Sequence, residues 1–109
     1  MNNPNLEIQH EFEQAMQARE KGNEGQARVC ARRAAGIAIR DYLDRKGIRP
    51  PSRSAHDLLN LIKEQSPLPP DLKLVADHLT LRVTEEFKLP IEADLIKEAQ
   101  TLCDWLLKN

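Results

Sequence analysis

The sequence predicts an all-α fold, an up-and-down bundle of four main helices plus one short helix, built as a single domain over residues 1–109. Three observations predict it. Apolar residues recur at three- and four-residue spacing in each long segment, the period of a helix with one inward face. β-branched residues never alternate with polar ones over a useful length, and no hairpin dipeptide occurs. A length of 109 residues suits one real core and is too short for two.

The first helix is expected from about Asn5 to Lys21, with Ile8, Phe12, Ala15 and Met16 on one face and Pro4 just before it. Gly22-Asn23 then makes a short break of the kind that joins antiparallel neighbours. The chain is organised around the next stretch, Glu24 to Gly47, a helix of about 36 Å at 1.5 Å per residue. Asn23 can cap its start, and Gly47 can take the left-handed turn that ends it. At about 100° per residue, Ala27, Ala31, Ala34, Ala35, Ala38 and Tyr42 share one arc, while Val29, Gly36, Ile39 and Leu43 fall on another. Cys30 and Ile37 lie on a third side. Apolar contacts on several sides predict a central helix, not a surface one.

Ile48 to Arg53 carries Pro50 and Pro51 and is expected as an exposed basic loop. Ser54 looks like the cap of a shorter helix with Ala55, Leu58, Leu59 and Ile62 inward, and Asp57 supplies a carboxylate to its first turn. Ser66-Pro67-Leu68-Pro69-Pro70 ends that helix. A fourth starts near Asp71, with Leu72, Val75, Ala76, Leu79 and Val83 spaced for burial. Phe87, Leu89 and Pro90 make an apolar connection. The last helix is expected from about Ile91 to Leu107, its stripe formed by Ile91, Leu95, Ala99, Leu102 and Leu106, with Ile96, Cys103 and Leu107 alongside.

The formal net charge is −1, which argues against a wholesale polyanion binder, but the charges are unevenly placed. Between residues 24 and 53, Arg28, Arg32, Arg33, Arg40, Arg45, Lys46, Arg49 and Arg53 face only Glu24, Asp41 and Asp44. Partner surfaces hide inside such neutral totals. Cys30 and Cys103 sit at apolar helical spacing, and neither has a second Cys or His at metal-ligand distance, so no metal or cofactor is expected. Buried, reduced thiols point to a cytoplasmic protein. The N-terminal residues lack the pattern of a signal peptide, and no stretch approaches the ~20 apolar residues of a membrane span.

Several short motifs resemble the HEPN domain family of small helical bundles. Ala34-Ala35-Gly36-Ile37-Ala38-Ile39-Arg40-Asp41-Tyr42-Leu43 occupies the place of a helix that in members reads roughly A-A-E-K-A-L-K-A-L-L. Ala55-His56-Asp57-Leu58-Leu59-Asn60-Leu61 matches the family's T-H-D-L-x-x-L helix start, and Asp94 to Ala99 echoes a late D-x-x-x-x-A. The order is right over most of the chain, with one departure: the usual Glu is Gly36. The resemblance implies a homodimer working as a binding or accessory module, associated with a nucleotide or RNA. It also implies a nucleotidyltransferase-type partner or a place in a toxin–antitoxin system.

Catalytic members look like metal-independent ribonucleases carrying Arg, four to six residues, then His near the fourth helix. Arg82 lies in that region, but Val83 to Asn109 contains no His. Arg49 and His56 satisfy the spacing in a different place, on the loop before the third helix, and a two-residue pattern with flexible spacing also arises by chance. They are the candidates for a displaced ribonuclease pair, and the preferred expectation is a module without catalysis. The remaining alternative is a helical protein-interaction adaptor. Ligand-binding candidates are Arg33, Arg40, Arg49, Arg53, His56 and Arg82. Arg33 and Arg40, seven apart on one edge of the central helix, are expected either to pair with Glu85, Glu86, Glu92 or Asp94, or to hold phosphate. His78 is expected to be solvated or ion-paired, and His10 to lie on the surface.

Overall fold

Asn23 and Ser54 cap the second and third helices where the sequence places their starts. The structure, a computed structural model, describes residues 4–50, 52–65, 67–81 and 94–109. Five helices follow in order: α1 (Pro4–Glu20), α2 (Glu24–Arg45), α3 (Ala55–Ile62), α4 (Pro70–Leu79) and α5 (Leu95–Lys108). Among the described residues all regular structure is helical, and no helix is long and apolar enough to cross a membrane.

The α1–α2 connection is closed by a left-handed glycine. Gly22 takes φ +78°, and the N–H of Asn23 donates to the Ala18 carbonyl at 2.8 Å. Asn23 then caps α2, its Oδ1 accepting from the Gln26 N–H at 3.1 Å. At the far end of α2, Gly47 takes φ +73°, the Ile48 N–H donates to Leu43 O at 2.8 Å and the Gly47 N–H to Asp44 O at 3.1 Å. That pair of bonds satisfies carbonyls that would otherwise be orphaned at a helix end. Ser54 caps α3 through Asp57 N–H, and Asp94 caps α5 through Lys97 N–H.

α2 is central. It packs along α1 and also against α5 and α3, while α4 closes against α3 and α5. Ala27, Ala31, Ala34, Ala35 and Ala38 are all fully buried with Tyr42 on the same arc, and Cys30, Ile39 and Leu43 are buried on its other sides. Small side chains let the neighbouring axes approach closely, and packing at crystal-like density then leaves little room for larger ones.

Some expectations on individual residues need correcting. Met16 is 45% exposed, and Ala18 takes the inner position instead. The hairpin turns within three residues of α1, so the inward positions near the turn are the small ones, Ala15 and Ala18 against the alanines of α2. The last helix begins at Leu95, not near Ile91, because the Asp94 side chain accepts the Lys97 N–H at 3.2 Å and fixes the start there. The fourth helix stops at Leu79, where the Thr80 hydroxyl donates back toward the Ala76 and Asp77 carbonyls. Ile91, Val83, Phe87, Leu89 and Pro90 lie outside the described residues.

Cys30 and Cys103 are both buried free thiols. Burial, and secondarily the neighbouring Asp104 charge, pushes the Cys103 thiol up to about 12, so it stays protonated and unreactive at neutral pH.

Candidate functional site

The basic residues of α2 separate into two groups with different tasks. Arg32 and Arg45 complete the ends of other helices. Arg32 donates from Nε to the Leu79 carbonyl at 2.7 Å and from Nη2 to the Leu81 carbonyl at 3.4 Å, at the C-terminus of α4. Arg45 donates from Nη2 to the Leu106 carbonyl in the last turn of α5 at 2.6 Å, and from Nε to Asp41 at 2.9 Å. A guanidinium at a helix C-terminus satisfies free carbonyls and meets the negative end of the dipole. Burial, with the Arg28 charge adding to it, lowers the Arg32 pKa from its ordinary value. Replacing Arg32 with Met leaves the Leu79 and Leu81 carbonyls short of a partner. The expected cost is ~1–2 kcal/mol, read as a lower urea midpoint. An unchanged midpoint would show that water replaces the guanidinium without loss.

Arg33 and Arg40 form the second group. Both are exposed, and neither makes an ion pair among the described residues. Seven residues apart on α2, they face the same cleft, of about 630 Å³, which Arg53 and His56 also line. Val29, Gly36 and Ile37 form its α2 wall together with Arg33, Arg40 and Arg32, whose guanidinium also bonds the end of α4, and Glu7 and Glu11 face them from α1. The first turn of α3 closes the remaining side with Ser54, Ala55 and His56.

Gly36 positions that third wall. A Cβ there would lie 3.1 Å from the Ala55 Cβ and 3.3 Å from its Cα. The missing side chain therefore lets the start of α3 sit directly on α2, between the levels of Arg33 and Arg40. A side chain at this position would press the start of α3 away from α2 by a few tenths of an ångström. Gly36 is thus part of how the cleft is built.

Four of the six ligand-binding candidates, Arg33, Arg40, Arg53 and His56, meet in this cleft. Arg49 is exposed but does not line it, and Arg82 lies outside the described residues. The one ion-pair partner considered for Arg33 and Arg40 that lies among the described residues, Asp94, is placed differently. Asp94 bonds Arg19 at 3.0 Å, and Arg19 also holds Glu24 at 2.6 Å, so one guanidinium ties together the end of α1 and the starts of α2 and α5. Burial alone would raise the Asp94 carboxyl, but bonds from Arg19 and the Lys97 backbone hold it below its ordinary value. Glu85, Glu86 and Glu92 lie outside the described residues. His78 is ion-paired geometrically, its Nδ1 lying 2.5 Å from Glu98 Oε1, and His10 is exposed beside Gln14.

Sequence reasoning passed over Glu7 and Glu11. Their four-residue spacing put them on one face of the first helix, but nothing local showed that this face turns toward the arginines. Glu11 is partly buried, and its Oε2 is shut off from solvent and accepts no hydrogen bond. Among the described residues no group of three or more His, Cys, Asp or Glu side chains converges as a metal site. The chemistry on offer is recognition: four guanidinium groups, none in an ion pair among the described residues, with an imidazole and two carboxylates around a concave surface. No family model, curated protein or solved structure matches the chain.

Proposed function

We propose that the protein is a HEPN-like, non-catalytic binding or accessory module that holds a phosphate-bearing ligand, a nucleotide or RNA, in the cleft between α1, α2 and α3. The observation that carries this reading is the convergence of Arg33, Arg40 and Arg53 on one cleft with no ion-pair partner among the described residues. Guanidinium groups match phosphate oxygens in bidentate geometry, and a concave wall focuses their field. Arg45 is committed to a helix end, and Arg32, which also lines the cleft, donates to the end of α4, so the basic excess of this segment is only partly structural.

The order of HEPN-like motifs along the chain supports placing the module in a homodimer in the cytoplasm. A nucleotidyltransferase-type or toxin–antitoxin partner belongs to the same reading. A displaced ribonuclease pair draws less support, because His56 lines the cleft while Arg49 does not.

Calorimetric titration with inorganic pyrophosphate tests the anion site. Screening length falls from about 10 Å at 0.1 M salt to about 3 Å at 1 M, so affinity should weaken steeply across that range. Absence of any affinity at low salt would retire phosphate binding and leave the protein-interaction adaptor.

A further inference from the structure

On the footing of that anion-binding reading, we propose that the cleft is a two-phosphate site closed at one end. It takes two successive phosphates of a nucleotide chain, one at Arg33 and one at Arg40, and none beyond Arg40. The two arginines stand seven residues apart on α2, about 10.5 Å along its axis and nearly in line. Midway between them the floor is Gly36 and Ile37, with Ala55 resting on Gly36, and it offers no charged group. Each guanidinium therefore meets its own phosphate, and the apolar floor lies under the sugar that joins them. Arg53 adds its charge from the loop before α3, while Arg32 is tethered to the Leu79 carbonyl. Glu7 and Glu11 oppose the arginines from α1 and press phosphate toward the α2–α3 side. Four guanidinium groups against two carboxylates leave an excess of two positive charges, which two backbone phosphates neutralise.

The closed end follows from what lies past Arg40. A second, smaller hollow of about 220 Å³ adjoins the cleft there and shares Glu7, Ile37 and Arg40 with it. Asp41 and Asp44 complete its charged lining, so three carboxylates surround the one arginine. Asp41 is held by Arg45 at 2.9 Å, but Glu7 and Asp44 are exposed and join no ion pair among the described residues. A third phosphate in that hollow would face both of these carboxylates, and like charges set side by side exclude a ligand. α2 thus changes sign along its length, basic at Arg32, Arg33 and Arg40 and acidic at Asp41 and Asp44. That change marks where a bound strand stops.

Uridine 5′-monophosphate and the 5′-phosphorylated uridine di- and trinucleotides carry one, two and three phosphates. The dinucleotide should bind about tenfold or more tightly than the mononucleotide, and the trinucleotide no more tightly than the dinucleotide. Arg40→Gln should bring the dinucleotide down to the level of the mononucleotide. Its slope of log affinity against log salt should also flatten by about 0.7, for the one phosphate released. Asp44→Lys, compatible with the last turn of α2, should extend the basic lining and strengthen the trinucleotide selectively. A misfolded variant would weaken every ligand, so this selective gain identifies the acidic stop. Equal affinity of mono- and dinucleotide, or equal loss of both in Arg40→Gln, would overturn the two-phosphate site in favour of one phosphate held by converging arginines. A further step of similar size to the wild-type trinucleotide, or equal gains for all three ligands in Asp44→Lys, would overturn the closed end. Those results leave phosphate binding itself intact. No binding of any of the three at low salt would remove the anion-binding reading and this proposal with it. A 5′-phosphorylated uridine decamer run in parallel identifies the source: an RNA end if it binds at least as tightly as the dinucleotide, a free dinucleotide if it binds more weakly.

Discussion

Reversing Arg40 and Arg53 together to Glu should abolish phosphate binding while leaving the melting temperature nearly unchanged. The two side chains reach the cleft from different elements, the middle of α2 and the loop before α3, and both are exposed. Neither joins an ion pair among the described residues, so their loss strands no buried partner. Exposed charges of this kind contribute little to stability. A bound phosphate, in contrast, loses two charge-assisted contacts and gains two repulsive ones. At ~1.5–3 kcal/mol for each lost contact, affinity should drop at least a hundredfold. Arg49→Glu is the comparison that locates the effect. Arg49 lies outside the cleft lining, so its reversal should weaken binding only through the long-range field. Equal losses from Arg49→Glu and from the double reversal would mean that a diffuse basic surface, and not this cleft, attracts the anion.

Leu in place of Ala35 should destabilise the fold by ~1–3 kcal/mol, and Ala34→Leu should behave alike. Both alanines are fully buried on a helix flanked by three others. Three extra carbons have no void to enter, and the neighbours must leave their rotamers or the helices must part. For a domain of this length that corresponds to about 4–13 °C in melting temperature. Met16→Ala is the matched control on α1, since that side chain is 45% exposed and its truncation removes little buried surface. A neutral Ala35→Leu variant would contradict a closed alanine face. A large loss for Met16→Ala would contradict the outward placement of that residue.

Much of the fold was legible because its signals are local. Asn23 and Ser54 each offer a short polar side chain to an N–H three residues on and both cap helices; Asp94 does the same for α5, where apolar spacing had suggested an earlier start. Gly22 and Gly47 take left-handed backbone at the ends of α1 and α2, as their lack of a Cβ permits. The several apolar sides of α2 announced a helix surrounded by others. Met16 shows where this kind of reading fails. Periodicity gives a helix face to within an arc, and the tilt of the partner helix decides which edge of that arc is covered.

The candidate site needed the tertiary structure for the same reason. Arg32 and Arg33 are adjacent and identical in type, and helical geometry turns them about 100° apart. Both line the cleft, but Arg32 Nε also reaches the Leu79 carbonyl at the end of α4, 47 residues away in the chain, while Arg33 joins no ion pair among the described residues. Asp94 was read as one candidate partner for the arginines of α2, yet the packing of helix ends delivers it to Arg19. Gly36 in sequence was only a missing Glu. Its contact with Ala55 makes it the point where α3 rests on α2. The sequence by itself determined the presence of the helices, the caps of α2 and α3, the central place of α2 and which residues were candidates to hold an anion, because each follows from neighbours within a turn or two. Tertiary structure alone decided which arginines are committed to helix ends, which line the cleft, and that Glu11 faces them, because those assignments depend on contacts between segments distant in the chain.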